Sequence, residues 1–403
     1  MEGVTYCVAD EGDTHLLIID LSDPYLRVQT VMANDVLDVW PPEEEREAVP
    51  DMAKRYRSDG VIAAINGDYF GWNRGPEGPT VVQGQRLDTP VTIALNPSHY
   101  RRTTLALSRS GKAAVTHLNP IALPAPGVYR ELLFNAVSGG PVILRDGYVL
   151  PEAFSCLIDA IPMAACHRDR QTAAGVDEAG TTLYLVASTQ RSTGGLAELL
   201  RDYGAFNAMK LDGGGSSQLW YRGRTLVKSE RDVANALLIF KEDRPRHAAQ
   251  LTTRPPVLLI KEGTAASVEV RLRNVGHLAW TVDRYYGLHL LEEALWASDF
   301  LRLPQDVAPN GLVTFTLSIN SALGPGVYTS TWQLATPFEA FGPKIPINVV
   351  VVPPEAADLQ KQIQPLLNRL TRFSDKTFES QWPKTAKQVQ QLIEKWLKAH
   401  PPE

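Results

Sequence analysis

The sequence predicts an α+β first part with a mixed sheet and helices, then an all-β sandwich, then a short helical C-terminal segment. Three observations predict it. Residues 1–243 are rich in glycine and alternate apolar strand-like runs with helix-like stripes. Residues 250–352 carry short runs in which apolar and polar residues alternate between Gly/Pro turns. Residues 355–403, after Pro353-Pro354, carry apolar residues at helical spacing. A chain of 403 residues is too long for one ordinary core. The charged, Pro-containing run Lys241-Glu242-Asp243-Arg244-Pro245-Arg246 reads as the first linker.

In the first part, His15–Leu21 is an apolar strand that runs into an Asp23-Pro24 turn. Pro50 and the residues Ala53–Ser58 predict a short helix, stopped at Gly60, the residue type that tolerates a left-handed backbone past a helix end. Val61–Ile65 is a continuous apolar strand ending at Asn66, and a Gly-rich loop with Tyr69, Phe70 and Trp72 follows. Val142–Leu144 and Tyr148–Leu150 flank Asp146-Gly147, a hairpin signal. Thr182–Ala187 reads as a strand, Leu196, Leu199, Leu200 and Tyr203 mark one helix face ending at Gly204, and Ala208–Leu211 is the next strand. This spacing predicts a crossover between adjacent parallel strands. Asp212 then stands just past a strand's carboxyl end, where such units place ligands.

In the middle part, Ser267–Arg273, Val313–Ile319, Val327–Leu334 and Ile345–Val351 are the candidate sandwich strands. In the tail, Leu359, Ile363, Leu366, Leu367 and Leu370 form one stripe, which Pro365 should kink or interrupt. Val389, Leu392, Ile393, Trp396 and Leu397 form a second stripe on Lys384–Ala399. The two read as a helical pair packed on a neighbouring domain or a partner chain, with a membrane-surface helix as the sharper alternative.

Composition narrows the function classes. Hydrophobic residues make up 44% and charged residues 21%, as in soluble globular proteins. A net charge of -5 gives no reason to expect nucleic acid or an anionic membrane as partner. No apolar run approaches the ~18–20 residues that span a bilayer. Met1–Tyr6 lacks the basic start and apolar stretch of a signal peptide, which leaves open a cytosolic protein or one trimmed of its export signal. The cysteines are Cys7, Cys156 and Cys166, and their odd number argues against a pure disulfide framework. Buried small hydrophobes is the bland reading, and a Cys156–Cys166 bridge the alternative. No Cys/His spacing resembles a zinc site. The sequence requires no cofactor, and a divalent cation held by Asp and Asn stays open.

Five short runs could carry chemistry. Asp212-Gly213-Gly214-Gly215-Ser216-Ser217 spends three successive glycines, which cost backbone entropy unless something needs the bare backbone. A cradle of N–H groups for an anion is one answer and a tight structural turn the other. The lysine of a Walker A loop is missing, and so is a G-x-S-x-G nucleophile turn. Asn66-Gly67-Asp68 ends a buried strand, as a ligand-facing group or as an ordinary turn in which Asp68 caps the loop. Cys166 to Gly175 contains Arg168 and Arg170, either of which would suit a phosphate, or the run is a solvated charged turn. Ser138-Gly139-Gly140-Pro141 is another backbone-rich turn, and Arg231–Ala236 precedes the apolar strand Leu237–Phe240.

Each run is weak alone, but their order is not. Ala64–Phe70, Ser138–Leu144, Gln171–Asp177, Leu211–Leu219 and the Arg231–Leu237 ending together resemble the phosphodiester glycosidase family, which includes the mannose 6-phosphate uncovering enzyme and many bacterial relatives. The resemblance covers about residues 4–241. It implies a hydrolase that cleaves a sugar-1-phosphodiester, such as one holding N-acetylglucosamine, in a cell-surface or extracellular glycan. It further implies an exported protein. The matching positions are Asn66, Gly67, Ser138, Gly139, Gly140, Thr172, Gly175 and Asp212 to Ser217. One departure matters. The family often has Arg directly before the Thr of R-T-A-x-G; here Gln171 stands there and Arg170 one residue earlier.

Asn274-Val275-Gly276, Trp280, Leu303-Pro304, Gly324–Tyr328, Trp332 and Phe341-Gly342 resemble an Ig-like module appended to bacterial enzymes, with its Trp and Tyr residues read mainly as core. Spacing, docking or self-association through the sandwich and tail is its expected role.

The expected catalytic set is Asp212, with Asn66, Asp68 and Arg170. The expected substrate-binding set is Gly67, Ser138, Gly139, Gly140, Thr172, Gly213, Gly214, Gly215, Ser216 and Ser217. The competing reading is an inactive glycan-binding or structural surface protein on the same fold. A third is a phosphodiesterase that cleaves the P–O bond.

Overall fold

The computed structural model describes residues 3–37, 46–71, 75–87, 102–118, 133–154, 157–158, 161–162, 170–229, 231–292, 299–319, 322–337 and 339–401. Trp72, His167, Arg168, Asp169 and the Cys156–Cys166 bridge lie outside them. The chain divides into two compact units, Met1–Arg246 and His247–Glu403.

The first unit is mostly β. Among its described residues the α-helices are Val49–Arg55 and Thr193–Asp202, so the expected alternation of strands and helices gives way to antiparallel sheets, three large ones and the two-stranded pair Leu157–Ile158 and Ile161–Pro162. A seven-stranded sheet runs in the order Val4–Ala9, Thr14–Asp20, Thr182–Ser188, Gln171–Val176, Asn207–Lys210, Val142–Arg145, Tyr148–Val149. A five-stranded sheet runs Arg224–Val227, Leu219–Tyr221, Val61–Asn66, Asn235–Lys241, Leu26–Met32. The third runs Gln85–Arg86, Val81–Val82, Asn135–Gly139, Thr103–Leu107, Ala113–Thr116. One core joins them: Leu17, Ala174 and Leu185 from the first, Ala63, Ile65 and Leu237 from the second, Leu105 and Val137 from the third.

The crossover takes a different form from the predicted one. Thr182–Ser188 and Asn207–Lys210 are not neighbours, because Gln171–Val176 lies between them, antiparallel to both. The cause is local. Gln171–Val176 turns straight into Thr182–Ser188 through a tight hairpin that Asp177 holds by accepting from the backbone N–H of Thr181 and Thr182. The helix Thr193–Asp202 must then pass over the intervening strand. Its N-terminus is capped by Ser192, which accepts from the Gly195 N–H.

The first helix also begins earlier than expected, at Val49, with Pro50 in its first turn, where no N–H is needed. Arg57–Asp59 is a separate 3-10 turn, and Gly60 takes the left-handed conformation (φ 84°). The hairpin at Asp146-Gly147 has both residues left-handed (φ 52° and 78°), as its two-residue turn demands.

The second unit is a two-sheet sandwich with the helical pair on one face. Ala249–Leu251, Ala266–Asn274 and Leu312–Ile319 form one sheet. Leu258–Lys261, Ala340–Val352, Gly326–Ala335, Gly287–Leu290 and Phe300–Arg302 form the other, with one parallel pair between its first two strands. Trp280, Tyr286 and Trp332 are fully buried between the sheets, hence core rather than a ligand platform. The valine run at the end of Ala340–Val352 is buried on both faces. Val349 and Val351 join the sandwich core, and Val350 and Val352 join the core under the helices Ala357–Leu370 and Asp375–Ala399. Pro365 does not end its helix, and the second helix begins at Asp375 and continues through Pro383. Packing of Leu359, Ile363, Leu367 and Leu370 on that face outweighs the lost backbone bond. Among the described residues no helix is long and apolar enough to cross a membrane.

Candidate active site

Strand ends from the three large sheets of the first unit meet at one place. Val61–Asn66 ends there beside the start of Asn235–Lys241, Asn207–Lys210 ends beside the start of Gln171–Val176, and Asn135–Gly139 ends beside Thr103. Polar residues at strand ends therefore converge on a common point while the strands behind them stay apolar.

The Asp212 main chain is held from several sides. Its carbonyl accepts from Asn66 Nδ2 at 2.7 Å and from Thr172 Oγ1 at 2.6 Å. Its N–H donates to the Gly67 carbonyl at 3.1 Å. Asn66, fully buried, completes its own bonding by accepting from the Gln218 N–H at 3.0 Å. Asn66, Gly67 and Thr172 thus fix where Asp212 sits, and the Asn66 side chain is spent on backbone.

The glycine run wraps the Asp212 side chain. Gly214 is left-handed (φ 57°), and its N–H donates to the Arg170 carbonyl at 2.8 Å. At Gly213 a Cβ would stand 2.5 Å from Lys210 Nζ and 2.7 Å from Gln171 Oε1, so the bare backbone admits both side chains. Ser216 donates to the Asp212 carboxylate, as does the Gly213 backbone, and Arg231 Nη1 approaches Ser216 Oγ at 3.4 Å. Ser217 Oγ is buried without a hydrogen-bond partner.

Burial pushes the Asp212 carboxyl above the usual carboxylate range, against the opposing pull of Ser216, Lys210 and Arg231. Burial also lowers the Lys210 ammonium to about 8, which the Asp212 charge partly offsets. Lys210 Nζ donates to the Leu211 carbonyl at 3.0 Å and to Tyr69 OH at 3.2 Å, and Tyr69 OH donates to the Gly140 carbonyl at 2.9 Å. Arg102 lies over the same Tyr69 ring, 4.8 Å from its centre. Arg102 is paired with Glu77 through Nη2, while its Nε and Nη1 are buried without a partner.

Asp68 is buried with both oxygens engaged. It accepts from the Ser138 N–H at 2.6 Å and from Thr80 Oγ1 at 2.7 Å. Burial raises it to about 7, with Thr80, Ser138, Asn235 and Arg102 pulling the other way. Ser138 Oγ donates to the Pro79 carbonyl at 2.6 Å. Gly139 packs so tightly that a Cβ would lie 2.2 Å from the Lys210 carbonyl. Gly140 donates to that carbonyl at 2.8 Å.

Asp212, Asn66, Gly67, Thr172, Gly139, Gly140 and Gly213 to Ser217 are thus gathered, with Asp68 and Ser138 behind them. Arg170 is not: its side chain is exposed, and Nη1 donates to the Lys228 carbonyl at 2.9 Å. Gln171 points inward instead and is buried. Sequence reasoning missed Lys210, Tyr69 and Arg102 as site residues. Lys210 carried a usable signal, a charge two residues before Asp212 at the end of an apolar strand. Among the described residues, no three His, Cys, Asp or Glu side chains gather as metal ligands would.

Residues 59–240 match the family model of the phosphodiester glycosidases, and the chain carries a domain of that family. Every residue of the cluster falls inside that span. Among solved structures, the chain is similar to the catalytic domain of zebrafish N-acetylglucosamine-1-phosphodiester alpha-N-acetylglucosaminidase, auto-inhibited by its pro-peptide. That similarity is at 18% identity and TM-score 0.46, over 59% of this chain and 82% of that one. A hypothetical protein from Synechocystis is similar at 17% identity and TM-score 0.44, over 60% of this chain and 63% of that one. No curated protein matches the chain.

Proposed function

We propose that the first unit hydrolyses a sugar-1-phosphodiester, breaking the bond between the anomeric carbon and the phosphate oxygen. The observation that carries this reading is a nearly buried carboxyl, Asp212, clamped through its backbone and ringed by Lys210, Arg231 and a bare glycine wall. Water supplies the hydroxyl that replaces phosphate on the anomeric carbon. Its proton passes to the Asp212 carboxylate, and the bridging oxygen leaves with phosphorus as a phosphomonoester. The raised affinity of Asp212 for a proton suits a group that takes one from water. Its negative charge also faces an oxocarbenium-like centre. The phosphate is already a competent leaving group, so stabilising its charge matters more than protonating it.

Asn66, Gly67 and Thr172 act here as positioning residues for Asp212, and Asp68 acts through Ser138. Ser138, Gly139, Gly140 and Gly213 to Ser217 form the substrate wall. Arg170 stands at the rim. We take N-acetylglucosamine or a similar sugar, in an exported or surface glycan, as the substrate, as the sequence resemblance implies. We read the chain as a glycosidase domain over 1–243, an Ig-like sandwich over 250–352 and a helical tail over 355–403, the latter two as docking or self-association elements.

The test is sugar release from chromogenic sugar phosphodiesters. Wild type should turn over at least one of them, and Asp212→Ala should lose about three orders of magnitude in kcat. The position of Gln171 favours a second reading, a glycan-binding protein without turnover, because a neutral side chain stands where the family motif has a cation. No release across several sugars, with glycan binding kept, would establish that reading instead.

A further inference from the structure

We infer that Lys210 is the phosphate-contacting, specificity-determining cation of this site, delivered from the strand beside the one that carries Gln171. The inference rests on the reading of the substrate as a sugar phosphodiester and adds which residue selects it.

Three observations carry it. First, Lys210 is 3% exposed and sits at the end of Asn207–Lys210, two residues from Asp212. Two of its three N–H donors are taken, by the Leu211 carbonyl and by Tyr69 OH. A buried ammonium with a donor to spare is short of acceptors. An anion meets that need. Second, Gln171 and Lys210 crowd the same α-carbon, that of Gly213. An arginine at 171 would set a guanidinium against the Lys210 ammonium in a water-poor place, so a neutral residue at 171 and a cation at 210 fit one another. Third, the Tyr69 ring carries a second cation, Arg102, whose Nε and Nη1 are buried without a partner. The neighbourhood therefore holds buried N–H donors beyond those its own acceptors take.

The groups that face Lys210 are Asp212 on the following loop, Tyr69 on the loop after Val61–Asn66, and Gln171 on the adjacent strand. Arg102 with Glu77 lies beyond Tyr69, and Arg231 lies beyond Ser216. Of these, Lys210 is the cation whose charge is lost near pH 8.

Dimethyl phosphate, a diester anion that keeps its single charge across this range, is the probe, followed by ³¹P NMR titration of the full chain at pH 7 and pH 9.5. Sugar-phosphodiester turnover is measured alongside. Wild type should bind at pH 7 and lose about tenfold or more in affinity at pH 9.5. Lys210→Arg should keep its affinity at both, since arginine stays charged. Lys210→Met should bind at least tenfold more weakly at pH 7. Gln171→Arg alone should not tighten binding, whereas Gln171→Arg combined with Lys210→Met should restore it. Turnover that persists while Lys210→Met binds like wild type would overturn this inference and leave the glycosidase reading standing. Lys210-dependent binding without turnover would do the reverse. Should Lys210→Met fail to fold, the wild-type pH fall and its absence in Lys210→Arg decide the matter. A wild type that binds no dimethyl phosphate, or binds it equally at both pH values, overturns the inference.

Discussion

Asp68 and Gly139 show how much of the site is scaffolding for its neighbours. Thr80 Oγ1 lies 2.7 Å from Asp68 Oδ2 and 3.1 Å from the Gly78 carbonyl, and one hydroxyl proton can serve only one of them. A protonated Asp68 would donate to Thr80 and free that hydroxyl for Gly78, which fits a carboxyl raised to about 7. The folded pKa lies above the ordinary value near 4, so the folded state binds the proton more tightly. This group's contribution to stability is then fully present below about pH 4 and is lost as pH rises toward 7. Asp68→Asn, whose amide can donate to Thr80 in the same way, should fold and flatten that part of the stability–pH profile in denaturant melts. An unchanged slope would refute the assignment. Gly139→Ala should cost about 1–3 kcal/mol, because the added carbon meets a backbone carbonyl that cannot swing aside. Urea unfolding measures it. The sequence made Asn66, Thr172 and the glycine run legible as a group, since their order along the chain is distinctive. It could not show that Asn66 spends its side chain mainly on backbone and Asp68 on Ser138 and Thr80, or that Arg170 points outward while Lys210 points in. Those depend on which side of a strand end each residue falls, and one step along a strand reverses the side.

Among elements, strand positions were the most legible and strand neighbours the least. The apolar run Val61–Ile65 and the alternating runs Val327–Leu334 and Ile345–Val351 fall within the strands Val61–Asn66, Gly326–Ala335 and Ala340–Val352, the last of which begins well before its pattern. The crossover was misplaced because a strand–helix–strand spacing does not reveal that a hairpin partner already occupies the gap. The tail proline misled for a related reason: propensity argues for a break at Pro365, and tertiary packing overrides it. Ile363 is fully buried between the helical pair and the valine-rich sheet face. Ile363→Ala should therefore destabilise the second unit by about 2–5 kcal/mol, read by thermal melting. A melt like that of wild type would mean that the helices are not held by this core.

For the whole molecule, two units with separate cores predict two separable unfolding transitions in scanning calorimetry. Ile363→Ala should lower the temperature of only one of them, and a substrate-like phosphodiester should raise only the other. A single transition that shifts as a unit in both experiments would contradict independent folding. The chain divides after Arg246, at the end of the charged, Pro-containing run 241–246.

In the proposed mechanism Asp212 and its cations direct water to the anomeric carbon rather than to phosphorus. Hydrolysis of a sugar phosphodiester in ¹⁸O-water tests it most directly, with mass spectrometry of both products. The label should appear in the released sugar and be absent from the phosphomonoester. Label in the phosphate, with unlabelled sugar, would show P–O cleavage and contradict the account.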